Sequence, residues 1–131
     1  MTVLKRPSGI SFVKLEHCKK TDAVIAQWQG YCPHDNIVEG MQACLNLLQK
    51  SKARRIVMDT AFMEGSFSDS LNWMIKTWLP AARYSGLEKM AFVTSRNIFT
   101  ELSTKEYAIK SKRMGNEHFG SLEDAKNWVA K

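Results

Sequence analysis

From residue 10 to residue 17, apolar and polar side chains exchange almost position by position: Ile10, Phe12, Val13 and Leu15 stand against Ser11, Lys14 and Glu16. Such near-alternation predicts a strand with one buried face. The polar run Cys18-Lys19-Lys20-Thr21-Asp22 predicts a turn, residues 23–28 a return strand, and the two together a hairpin. Beyond Gly30 the period changes. Ile37, Met41, Cys44, Leu45 and Leu48 recur at helical spacing, with Glu39, Gln42, Asn46 and Gln49 opposite. Pro33 suits the first turn, where its missing N–H is not needed, and Asp35 and Glu39 lie near the positive end of the helix. The basic turn Lys50-Ser51-Lys52 closes it.

The centre of the chain is a strand–helix–strand unit. Residues 55–60 predict a buried strand, 61–65 a loop, 67–84 an aromatic-rich helix and 90–93 a second buried strand. Ser66 heads a Ser-x-x-Asp capping box ending at Asp69. Phe67, Leu71, Ile75, Trp78, Leu79 and Ala82 form the expected core stripe, and Pro80 is expected to bend the axis. Trp73, Thr77 and Tyr84 fall on another face, and Ser85-Gly86 stops the helix. Asn97 predicts the cap of a helix reaching Lys110, with Ile98, Leu102 and Ile109 inward. A short edge strand at 116–119 and a helix opened by Ser121 and Asp124, with Leu122, Ala125, Trp128 and Val129 on one side, complete the pattern. Residues 1–9, with the breaker Pro7-Ser8-Gly9, read as a flexible arm, and 10–131 as one domain.

The expected fold is α/β: an N-terminal β-hairpin followed by βαβαβ crossovers, giving a mixed, mostly parallel sheet of about four or five strands with about four helices. At 131 residues and 44% hydrophobic, the chain can bury a core without disulfides or metal. Three irregularly spaced cysteines, Cys18, Cys32 and Cys44, fit a reducing compartment. No continuous apolar stretch follows the basic residues near Met1, so the expectation is a cytoplasmic protein without a secretory leader or a membrane span. The net charge of +6 permits anionic partners without specifying one.

Against that pattern the chain resembles the STAS/SpoIIAA-like family, and within it the small bacterial STAS/SEC14-like proteins. The resemblance rests on a strand carrying Asp59, a helix carrying Trp73 and then Trp78-Leu79-Pro80, and Gly86-Leu87 leading into the strand at 90–93. It implies a binding or regulatory module rather than an enzyme, with a protein partner. It also implies two alternatives. One is a carrier of a small apolar or lipid ligand, with residues 61–65 and Trp78 lining a pocket. The other is an anti-sigma-factor antagonist switched by phosphorylation of a Ser or Thr after the third strand. Here only an Asp followed by a hydroxyl residue, Asp59-Thr60, is kept from that motif, and Ser66 and Ser68 are the candidate acceptors.

Ligands of open α/β sheets bind beyond the carboxyl ends of parallel strands. That rule collects Tyr31, Cys32, His34, Asp59, Thr60, Ser66, Ser68, Ser95, Arg96 and Asn97 as a candidate ligand rim, although the same residue types also serve as turn formers and caps. Cys32, Pro33 and His34 do not amount to a metal or haem site, and no cofactor is expected. No nucleophile elbow, phosphate loop, dinucleotide fingerprint or zinc-protease motif is present in the sequence, so no catalytic residue is expected. Lys50, Lys52, Arg54, Arg55 and Lys89 form a basic cluster at the amino edge of the sheet, suited to an acidic or membrane surface if it is more than a solvated edge. Aromatic residues are not interleaved with it, which speaks against nucleic acid. Trp73 and Tyr84 are the expected surface for a partner or a second copy of the chain.

Overall fold

The computed structural model describes residues 1–112 and 115–131. Among them six strands form one sheet in the order β1 to β6: β1 (Thr2–Lys5), β2 (Ser11–Cys18), β3 (Ala23–Tyr31), β4 (Arg55–Glu64), β5 (Lys89–Val93) and β6 (Asn116–Phe119). β1, β2 and β3 pair antiparallel, and β3 to β6 pair parallel. The mixed, mostly parallel α/β sheet with its N-terminal hairpin is therefore as the alternation and the helical spacing imply.

Several boundaries differ. Thr2–Lys5 is a paired edge strand where a flexible arm was expected, with Leu4 opposite Val13. Arg6 secures the connection after it, donating to the Ser11, Gln29 and Tyr31 carbonyls. Residues 61–65 are mostly strand rather than loop, because β4 runs on to Glu64 beside an equally extended β3. Ile10 lies outside β2 and is exposed.

The helices cover both faces of the sheet. α1 (His34–Ser51) buries Ile37, Met41, Cys44, Leu45 and Leu48, the five residues its spacing marks. The stretch from 67 to 84 is a composite: a 3-10 turn at Ser68–Ser70, α2 (Leu71–Trp73), a π-helical segment Met74–Trp78 and α3 (Leu79–Tyr84). Pro80 accounts for the widened turn. It cannot donate to the ladder, so Leu79 N–H reaches back to Met74 O and Pro80 falls in the first turn of the resumed helix, where no donor is needed. Met74 is buried and Ile75 only half-buried. Trp78 is fully buried with its indole N–H donating to Met41 O at 2.8 Å; that N–H left unpaired would cost about 1–3 kcal/mol.

α4 (Ile98–Lys110) and α5 (Leu122–Ala130) complete the set. α1, the composite helix and Tyr107 of α4 share one core with Trp28, Met58 and Phe92, whereas Ala125 and Val129 of α5 close a smaller core on Ile25, Val57 and Val93. Asn97 Oδ1 caps α4 by accepting from the Phe99 and Thr100 N–H groups, and Ser121 Oγ caps α5 by accepting from Asp124 N–H.

The orientation of α4 corrects the sequence reading. Ile98, Leu102 and Ile109, expected inward, are 66%, 57% and 66% exposed, and Thr100, Ser103, Thr104, Tyr107 and Ala108 are buried instead. The turn after β4 supplies the reason. Thr100 Oγ1 donates to Gly65 O at 2.6 Å, and Ser103 Oγ accepts from Phe67 N–H at 3.1 Å. Each buried backbone group left unpaired costs about 1–3 kcal/mol, as much as burying a Leu or Ile side chain contributes. Tyr107 adds its own burial against Phe92, and the hydroxyl face wins.

Candidate functional site

β3, β4 and β5 are parallel, so their carboxyl ends and following loops meet along one edge of the sheet. Cys32 follows β3, Asp59 and Thr60 lie at the middle of β4, with Asp59 level with the last residue of β5, and Ser95 follows β5. Cys32 and Ser95 lie level with the end of β4, while Asp59 and Thr60 sit further down the sheet, and what each does is visible in its bonds.

Most of these polar groups hold the protein to itself. Asp59 is 5% exposed and accepts from Gln27 Nε2 at 3.2 Å and from Ala61 N–H at 3.1 Å. Thr60 Oγ1 donates to Val93 O at 2.6 Å, locking β4 to β5. Ser95 Oγ donates to Met63 O and accepts from Asn97 N–H, while Ser95 N–H donates to Glu101 Oε1 at 2.8 Å. Ser66 does not cap as a capping box requires. Its Oγ accepts from Ser68 N–H, two residues on, and lies 3.1 Å from Ser103 Oγ, while Ser66 and Ser68 share a hydroxyl bond at 2.9 Å. Together with Thr100 and Ser103, these residues make a hydrogen-bonded seam between the end of β4 and the first turns of α4. Thr100, Ser103 and Glu101 escape the sequence reading, although the three- and four-residue spacing of Thr100, Ser103, Thr104 and Tyr107 was there to be read as a second helical face.

Other rim residues differ in environment. His34 is exposed, with Nδ1 2.8 Å from Ser70 Oγ and its ring edge-on to Trp73. Cys32 is buried, and burial pushes its thiol up to about 11 against the opposing pull of the Arg6 guanidinium. Tyr31 is 57% exposed and its ring lies over Gly65, which has φ +76°; a Cβ there would stand 2.7 Å from the ring. Arg96 is exposed. No group of three or more His, Cys, Asp or Glu side chains suited to a metal ion occurs among the described residues.

Beneath the rim, Met41, Met58, Met63, Met74 and Met90 surround a cavity of about 20 Å³ with Trp28, Phe67 and Phe92. On that measure about 10–15 Å³ accommodates one water molecule, so the cavity has room for one and no more than that. A surface cleft of about 540 Å³ separates α4 from β6, with Glu101, Lys105, Ile109, Glu117 and His118 among its walls.

The remaining candidates separate as well. At the amino edge, Arg54 pairs with Glu88, Arg55 reaches Thr21 O, and Lys89 sits over the Trp128 ring and donates to its carbonyl; Lys50 and Lys52 are exposed. Trp73 is half-buried against His34, and Tyr84 is 96% exposed. The broad exposed apolar surface is the outer side of α4, where Ile98, Phe99, Leu102 and Ile109 are open to solvent.

Strand order, a hairpin leading into parallel crossovers, and helices on both faces define an α/β domain of the STAS, or SpoIIAA-like, fold. No family model matches the chain, and no curated protein does. Among solved structures it is similar to the anti-sigma factor antagonist SpoIIAA in its unphosphorylated form, at 16% identity and a TM-score of 0.51 over 86% of this chain and 91% of that one. It is also similar to an uncharacterised protein of the DUF3478 family with a SpoIIAA-like fold from Shewanella loihica, at 16% identity and a TM-score of 0.54 over 89% of this chain and 91% of that one. Likeness at this identity establishes the fold; activity has to be argued from the residues. No helix among the described residues is long and apolar enough to cross a membrane.

Proposed function

We propose that the chain is a non-enzymatic STAS-like module that works by binding another protein. The observation that carries this reading is the state of the rim. Asp59, Thr60, Ser95 and Asn97 spend their polar atoms on strands, turns and caps, while the large apolar side chains of α4 face outward. A rim bonded to itself offers little to a small substrate, whereas an exposed apolar helix face is what protein partners cover. The anti-sigma factor antagonist of the same fold acts, by its description, on a protein. Three free cysteines favour a cytoplasmic setting.

The carrier reading finds little support in a cavity of about 20 Å³, when ligand pockets run to a few hundred. A phosphoswitch is weakened by Asp69 next to Ser68 and by the tie between Ser66 and Ser103, which a phosphate would break. Intact-mass measurement of protein purified natively from its own cell, followed by reconstitution of any captured partner from pure components, tests the proposal. We expect an unmodified, ligand-free mass and a stoichiometric protein complex. A co-purifying small molecule in equimolar amount would overturn it in favour of a carrier, and a mass increment of one phosphate would turn it toward the switch.

A further inference from the structure

We propose that Cys18 is a modification site at which a reversible mixed disulfide forms with an acidic low-molecular-weight thiol, whose carboxylate is received by Thr21, Arg55 and Lys126. The inference goes beyond protein binding and concerns the amino edge of the sheet, away from the rim.

Strand register builds the site. Cys18 pairs with Ala23, Ala23 with Arg55 and Arg55 with Lys89, so the four side chains stand in one row on the face that α5 covers. Ala23 is small and fully buried, which leaves Arg55 as the next long side chain beyond the half-buried thiol, two strands or about 10 Å away. Arg55 Nη1 donates back to Thr21 O at 3.5 Å, in the turn that follows Cys18. Two buried donors of this corner, Thr21 Oγ1 and Arg55 Nε, have no hydrogen-bond partner among the described residues, and Thr21 is only 9% exposed. Buried polar groups are nearly always paired, so the corner wants an acceptor that the folded chain does not supply. A carboxylate held beside the sulfur is such an acceptor.

Cys18 is also the cysteine fitted to react. The Thr21 hydroxyl, and after it the Thr21 N–H, hold its thiol below the ordinary 9.0 against a lesser push from burial; Lys20 N–H and the Lys126 ammonium pull the same way. Around it stand Glu16, Lys19 and Lys20 of the hairpin, Arg55 and Lys89 of β4 and β5, and Lys126 of α5, while the turn's own carboxylate, Asp22, is bound to His17 at 3.0 Å. The charge that acts on the sulfur is that of Lys126. Cys32 and Cys44 are buried and pushed up to about 11 and about 12, so both stay protonated and inert. In the exchange the Cys18 thiolate attacks one sulfur of an anionic disulfide. A new S–S bond forms, the old one breaks, and the departing thiolate carries off the electron pair and takes a proton from water. Once Cys18 is bonded and neutral, the Thr21 hydroxyl is released to the incoming carboxylate.

The test uses the full chain with glutathione disulfide, which is anionic, and cystamine, which is cationic. Intact mass and peptide mapping are expected to show one glutathione per chain, on Cys18, removed by dithiothreitol. The rate of modification is expected to titrate with a midpoint below the roughly 8.5 of a free cysteine. Relative to a short unstructured cysteine peptide, glutathione disulfide is expected to be preferred over cystamine by about tenfold, less so at high salt. Thr21→Val is expected to raise the midpoint and Thr21→Ser to leave it in place, while Arg55→Gln removes most of the anion preference. The proposal is overturned if Cys18 reacts no faster than Cys32 or Cys44, or if its midpoint matches that of the peptide or ignores Thr21→Val. It is equally overturned if the peptide shows the same preference between the two disulfides. Should Arg55→Gln fail to fold, Lys126→Gln decides, and an unchanged preference in that variant refutes the site.

Discussion

Gly40 lies where α1 crosses the Trp28 ring, and a Cβ built on it would stand 2.4 Å from the indole. A glycine in mid-helix ordinarily sacrifices about 1 kcal/mol of helix propensity relative to alanine. Here that loss is offset by letting the helix and β3 approach. Gly40→Ala is expected to destabilise the protein by about 1–3 kcal/mol in urea unfolding, opposite in sign to the usual effect of this substitution. Cys44 has a pH-dependent role. It is fully buried, and burial pushes its thiol from 9.0 up to about 12. The unfolded thiol ionises first, so its contribution is fully present below pH 9.0 and is lost as the pH climbs toward about 12. Unfolding free energy measured upward from about pH 8 should fall more steeply for the native chain than for Cys44→Ala, and parallel curves would refute the assignment.

At the scale of the element, α4 shows two periodicities competing for the same helix. Its apolar residues and its hydroxyl residues each repeat at helical spacing, so periodicity marks a helix without saying which side goes in. The backbone of the preceding turn settled it, because Met63 O, Gly65 O and Phe67 N–H needed partners that only Ser95, Thr100 and Ser103 supply. Leu102→Lys and Ile109→Lys should therefore change stability by less than about 0.5 kcal/mol, whereas Tyr107→Ala should cost about 3–5 kcal/mol. Thermal melts that ranked them the other way would restore the inward reading. The composite helix teaches a related lesson: Pro80 announced an interruption, and the local answer was a widened turn at Met74–Trp78.

For the whole molecule, stability is graded across the sheet. β3 and β4 are flanked on both edges and covered on both faces, while β1 and β6 are short edge strands. Amide hydrogen exchange should be slowest in β3, β4 and β5 and fastest in β1 and β6. Uniform protection would mean that the edge strands are not separable from the core. At the carboxyl edge, Phe62 and Arg96 line a hollow beside Asn97, which caps α4.

Sequence alone determined the succession of strands and helices after residue 10, the five core residues of α1, the caps at Asn97 and Ser121, and the parallel crossovers that join β3, β4 and β5. These follow from period, turn chemistry and crossover rules, all of which act over a few residues or one unit. Tertiary structure decided the rest: that residues 2–5 pair with β2, that Trp73 meets His34 while Tyr84 does not, and that Asp59 answers to Gln27. It also turned Ile98, Leu102 and Ile109 outward, because which face of an element is buried depends on the hydrogen bonds and volumes its neighbours present, and those neighbours lie tens of residues away in the chain.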